Sequence, residues 1–213
     1  MTDADFTPPP IDRRAPEPPA GPPSPPLPPG SWPVERVVLL GYMTSGKSTV
    51  GQALARRLEW SFLDFDVEIE RRDGRTIRAI VDEEGEGHFR DLESALTDEL
   101  AGRPYLVLAP GGGWITRPEQ LTALGPGTLA AWLRVSPQET ARRLRADTID
   151  RPFREMDDPV PRIARMLELR EPLYRLADVS IPTDGRSPES IAFELETIVR
   201  MRALAAYAPP PQA

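Results

Sequence analysis

The clearest chemical spacing in the chain is "GYMTSGKST", Gly41 to Thr49, which fits G-x-x-x-x-G-K-[ST] with Gly41, Gly46, Lys47 and Ser48 in the fixed places. Glycines there let the backbone curl until successive N–H groups, and the N-terminus of the next helix, point at phosphate oxygens. In such a loop Lys47 reaches the β- and γ-phosphates of a nucleotide and the Ser48 hydroxyl ligates magnesium. Thr44, Ser45 and Thr49 complete the cradle. An apolar "VERVVLL" precedes it and an amphipathic "VGQALARRLEW" follows, the strand and helix that the mechanism needs. GTPases, ATPase motors and small-molecule kinases share this loop, but no N-K-x-D-like motif for reading guanine is present.

Three further clusters could serve an acceptor. In "LDFDVEIE", Asp64 and Asp66 stand two apart. If the strand persists to Asp66, both carboxylates share one face at its C-terminal edge, where ligands bind in open parallel sheets. One could then serve magnesium through water and the other an acceptor hydroxyl, although a solvated acidic strand end fits the spacing equally well. "GHFRDLE" carries Arg90 with Glu93 three residues on, within ion-pair reach on a helix. "APGGGWIT" places Gly111, Gly112 and Gly113 after an apolar run, which permits close backbone approach to a ligand or a plain tight turn. His88 is the only histidine; its place beside Arg90 suits a base or simply a helix start.

The elements that must position these residues are legible as five apolar runs, "RVVLL", "SFLDF", "YLVLA", "LAAWLRV" and "DVSIPT". Helix-patterned stretches at Ser48–Leu58, Gly87–Leu100, Pro137–Arg145, Val160–Tyr174 and Pro188–Ala205 lie among them. That alternation predicts an α/β fold with a parallel sheet and crossover helices. Residues 145–159, "RADTIDRPFREMDDP", are charged and apolar-poor and read as a mobile loop, the natural lid of a kinase.

Composition narrows the function classes. Residues 1–33 hold 13 of the 27 prolines and read as a disordered or polyproline II tail, and residues 207–213 as a second fray, leaving one domain at 34–206. The "PxxP" pattern of the tail fits a spacer or an SH3-like ligand. A formal net charge of -7 argues against nucleic-acid binding. No apolar run reaches membrane-spanning length, and the absence of cysteine removes disulfides and thiolate chemistry. A cytoplasmic location fits these features.

Taken in order, the phosphate loop, "DFD", "FRDLE", "GGG", "DRP" and "LELREPLYRLAD" resemble the shikimate kinase family from about Val34 to Val199. The resemblance implies a P-loop NTPase-type three-layer fold, with a five-stranded parallel sheet, helices on both faces and a mobile lid. It implies ATP and Mg2+, with Asp64 organising the metal beside Ser48, and Asp66 contacting shikimate hydroxyls. Arg90 and Arg170 would hold the shikimate carboxylate, a role that suits the two parallel hydrogen bonds of a guanidinium. Gly111, Gly112 and Gly113 would line the acceptor ring, and Arg151 would close over the transferring phosphoryl group. Adenine would be flanked by Pro188 and by Arg143 or Arg142. The resemblance also implies a monomer acting in aromatic amino-acid biosynthesis.

Four positions depart from the family pattern: Thr44 stands where glycine is usual, Phe153 where leucine is usual, and Pro110 and Trp114 flank the triplet. Threonine disfavours positive φ, and Trp114 would narrow the acceptor pocket or shift its preference. The rival readings are a kinase of another hydroxy acid such as gluconate, and a related domain that binds ligands for regulation without turnover.

Overall fold

A computed structural model describes residues 34–146 and 156–207. The expected tail at 1–33, most of the expected lid including Arg151 and Phe153, and residues 208–213 lie outside the described residues.

The five apolar runs form the strands β1 Arg36–Leu40, β2 Ser61–Asp64, β3 Leu106–Ala109, β4 Thr128–Arg134 and β5 Val179–Pro182. All neighbours pair in parallel, in the order β2-β3-β1-β4-β5. Side chains alternate between two cores, as a period of two requires. Val37, Leu39, Val107, Leu129, Ala131 and Leu133 face one cluster, and Val38, Leu40, Leu106, Leu108, Ala130 and Trp132 the other. Both faces of the sheet are therefore covered, as the sequence predicts.

The helices are α1 Lys47–Leu58, α2 Phe65–Asp73, α3 Ile77–Leu100, α4 Glu119–Ala123, α5 Pro137–Ala146, α6 Val160–Tyr174 and α7 Pro188–Tyr207. Helix α1 packs its small residues Gly51, Ala53 and Ala55 inward and lies against α7. Helix α3 is longer than the sequence suggests: Thr76 caps its start by accepting from the Ala79 amide at 3.2 Å, and it bends at Gly85 (φ 89°). The expected start at Gly87 marks only the second limb.

Helix α2 was absent from the sequence expectation. Asp64 ends β2 and caps α2, its Oδ1 accepting from the amides of Asp66 (3.1 Å) and Val67 (3.5 Å). The strand thus stops at Asp64, and Asp66 sits in the first turn of a helix. The two carboxylates do not share a strand face.

Candidate active site

The loop between β1 and α1 is a tight cradle. Gly41 has φ 152°, and a β-carbon there would lie 2.7 Å from the Leu133 carbonyl oxygen, so a side chain is excluded. Gly46 precedes α1 in the left-handed region and supplies no side-chain cap, which leaves the first amides of the helix available to an anion. Lys47 Nζ donates to the carbonyls of Gly41 (2.9 Å) and Tyr42 (3.1 Å), which holds the ammonium over the loop. Thr49 Oγ1 donates to the Gly46 carbonyl at 3.0 Å, and Ser45 is fully buried. Thr44 takes φ 58° despite its branched β-carbon. The loop therefore keeps its shape at the departing position, at the cost of local strain.

Ser48 and Asp64 come together at the end of the sheet, with Ser48 Oγ donating to Asp64 Oδ2 at 2.5 Å. A hydroxyl and a carboxylate are the hard oxygen donors that magnesium prefers, and most of its remaining positions are normally filled by water and phosphate. These residues fit that ion.

The glycine triplet forms the floor between the two halves of the site. A β-carbon at Gly112 would lie 3.4 Å from both the Gly41 carbonyl oxygen and the Met43 nitrogen, so the triplet packs directly on the phosphate loop. At Gly111 it would lie 2.8 Å from Glu93 Oε1 and 3.2 Å from Asp66 Oδ1. At Gly113 it would meet the Arg90 guanidinium, 2.7 Å from Cζ. Asp66, Glu93 and Arg90 thus converge on this floor from α2 and α3.

Arg90 is fixed by two carboxylates: Nη1 bonds Glu93 Oε2 at 2.5 Å and Nη2 bonds Glu86 Oε1 at 2.8 Å. Glu93 is fully buried, and burial pushes its carboxyl up from the ordinary range, opposed by the Arg90 guanidinium. Across the floor, Arg170 of α6 donates from Nη1 to the Gly112 carbonyl at 3.2 Å. Tyr174, one turn on, donates its hydroxyl to the same oxygen at 2.9 Å and stacks on Trp132. Burial pushes the Tyr174 hydroxyl up to about 12, so it remains a donor at neutral pH.

On the far side of the phosphate loop the two candidate arginines part company. Arg143 donates to the Thr44 carbonyl (3.1 Å) and the Thr183 carbonyl (2.8 Å), spanning from the loop to the end of β5. Arg142 is exposed and pairs with Glu139. Of the two, only Arg143 touches the loop. Pro188 opens α7 five residues beyond Thr183.

Trp114 departs from expectation. It is fully buried, packed edge-on against Phe65, with its indole N–H donating to Thr97 Oγ1 at 3.0 Å. It supports the floor from within the core and does not narrow the pocket. Gln120 joins this support, its Nε2 donating to the Trp114 carbonyl at 3.3 Å. His88 faces Glu84 at 3.0 Å, on the turn before Arg90. Sequence reasoning passed over Tyr174, Thr183 and the burial of Glu93; only Tyr174 left a signal, four residues from Arg170 on one helical face.

No helix among the described residues is long and apolar enough to cross a membrane. The shikimate kinase family model matches residues 43–200. A shikimate kinase of Halorhodospira halophila is 43% identical over 158 residues, covering 74% of this chain and 89% of the relative. One from Thermus thermophilus is 41% identical over 164 residues, covering 76% and 89%. The structure of a shikimate kinase from Acinetobacter baumannii in complex with shikimate aligns with a TM-score of 0.73 at 34% identity, covering 80% of this chain and 96% of that one. The chain belongs to the shikimate kinase family.

Proposed function

We propose that this chain is an ATP-dependent kinase that transfers the γ-phosphoryl group to the 3-hydroxyl of shikimate, giving shikimate 3-phosphate and ADP. The observation that carries the reading is the shared floor. Two arginines on different helices converge on a glycine triplet that packs against the phosphate loop, so a carboxylate held by Arg90 and Arg170 keeps its ring beside a nucleotide's terminal phosphate.

The chain's work is then positioning and charge stabilisation, since a loose phosphoryl-transfer transition state needs little covalent help. Arg90 and Arg170 orient the carboxylate. Asp66 accepts a hydrogen bond from the 3-hydroxyl and takes its proton as the new oxygen–phosphorus bond forms and the bond to the ADP oxygen breaks. Lys47 leaves its loop carbonyls for the phosphates, and Arg143 and Pro188 flank adenine. Ser48 and Asp64 would hold magnesium, which when bound offsets phosphate charge. Arg151 takes its place over the transferring group. A monomer in the cytoplasm completes the reading.

The test is ADP release by the purified chain with MgATP, comparing shikimate, gluconate and no acceptor. Release with shikimate alone is expected, and Lys47→Met should abolish it. Release with gluconate alone would move the assignment to another acid, and nucleotide binding without acceptor-dependent release would favour a regulatory role.

A further inference from the structure

Tyr42 is the second residue of the phosphate loop, and it belongs to both halves of the site. Its carbonyl accepts from Lys47 Nζ at 3.1 Å and from the Ser45 amide at 3.2 Å, so its backbone is part of the cradle. Its side chain is 1% exposed and packs with Val135, Ala141 and Ile163, between α5 and α6. The Arg170 guanidinium lies over its ring, 5.6 Å from the centroid.

The two carboxylate-holding arginines are prepared differently. Arg90 is locked by Glu93 and Glu86. Among the described residues no carboxylate pairs with Arg170, and what directs it is the Gly112 carbonyl, the face of Tyr42 and the Tyr174 hydroxyl on its own helix. A long guanidinium side chain has many rotamers, and a π-face removes most of them without cancelling the charge. Gly112 itself rests on the loop, its β-carbon position 3.6 Å from the Tyr42 carbonyl carbon. The two of these groups that lie outside α6 therefore belong to the loop or rest on it.

We propose that Tyr42 is a positioning residue for the acceptor, its ring fixing the Arg170 guanidinium while its backbone ties that guanidinium to the nucleotide loop. Nucleotide occupancy then orders Arg170, and shikimate binds more tightly when the loop is filled. The Tyr42 hydroxyl is buried and has no hydrogen-bond partner among the described residues, so the ring face carries the effect.

The inference rests on the acceptor proposed above, and the test separates the two. The full chain is assayed as wild type, Tyr42→Phe, Tyr42→Leu and Tyr42→Met, with melting temperatures for each. The Met variant keeps more of the side-chain reach without a π-face and serves if Leu fails to fold. KM is measured for each substrate, and shikimate Kd by calorimetry with and without saturating ADP. Phe, which keeps the ring face, should keep the shikimate KM within twofold and retain the ADP-dependent ratio. Leu and Met should raise the shikimate KM roughly 5- to 30-fold, leave the ATP KM within twofold, and bring the ADP-dependent ratio of shikimate Kd values to about one.

A shikimate KM within twofold of wild type in the Leu or Met variant overturns the inference. So does an equal defect in Phe, a parallel rise in the ATP KM, or a wild-type ratio of one. Absence of shikimate-dependent turnover in wild type would remove the acceptor assignment and this inference together.

Discussion

Gly113→Ala probes the acceptor grip without touching the residue that makes it. Gly113 has φ -97° and ψ -8°, which alanine adopts without strain. Its new methyl would lie 2.7 Å from Arg90 Cζ and 3.1 Å from Nη1. Arg90 Nη2 is closer still, and carbon atoms prefer separations of about 3.5–4.0 Å, so the guanidinium must withdraw by more than about 1 Å. Withdrawal stretches its hydrogen bonds to Glu86 and to the buried Glu93, which costs the fold about 1–3 kcal/mol, so melting temperature is read beside the kinetics. A hydrogen bond to a charged group contributes about 1.5–3 kcal/mol, and a 1 Å displacement forfeits much of that. The shikimate KM should therefore rise roughly 10- to 100-fold while the ATP KM stays within twofold. The assay is initial-rate ADP release, varying each substrate at saturating levels of the other. A shikimate KM within twofold of wild type would refute the placement of Arg90 on the carboxylate. An equal rise for ATP would show that the methyl distorts the shared floor instead.

Other expectations follow from single contacts. Arg170→Ala should raise the shikimate KM at least about tenfold and spare ATP, and Arg170→Lys should not restore it, because lysine lacks the two-pronged donor; steady-state kinetics of both variants check this. Glu139 is held down to about 2 by hydrogen bonds from Arg142 and Arg143, against an ordinary value of 4.5. A depressed carboxylate stabilises the fold above its unfolded value and loses that contribution as pH falls, here from about 4.5 to about 2. Acid unfolding of Glu139→Gln should accordingly show a shallower loss of stability across that window than wild type. Thr44→Gly removes about 1–2 kcal/mol of left-handed strain and adds about 0.5–1 of unfolded-state entropy. A rise of about 1–4 °C in melting temperature is expected, and a fall would show that the Thr44 side chain contributes more than its strain costs.

Much of the molecule was legible because local signals agreed with one another. The phosphate loop carries its own geometry in its glycines, and the β1 and β4 runs "RVVLL" and "LAAWLRV" are too apolar to be anything but strands buried on both faces. Helix α2 was hidden because it buries only Phe65 and Ile69 and its first turn reads as an acidic strand end. The first limb of α3 was hidden behind Gly85 and Gly87 and a run of acids. For Arg142 and Arg143 the sequence offered neighbours one residue apart, which a helix turns about 100° from each other; only the packed helix says which faces the loop. Trp114 could not be read correctly, since the hydroxyl that satisfies its N–H lies 17 residues away on another element.

The floor at Gly112 has a consequence for how such an enzyme can change. A β-carbon at Gly112 would face the backbone of Gly41, Tyr42 and Met43, so bulk added there presses on the nucleotide cradle itself. Selection or engineering for a differently shaped acid has little freedom on that side. The opposite wall, where Asp66 and Arg90 are carried by α2 and α3, is anchored by Phe65, Ile69 and Phe89 in the core but also carries exposed ion pairs such as Arg72 with Glu99 and a bend at Gly85. New acceptor preferences should therefore arise by reshaping that wall, with the floor and its glycines left as they are.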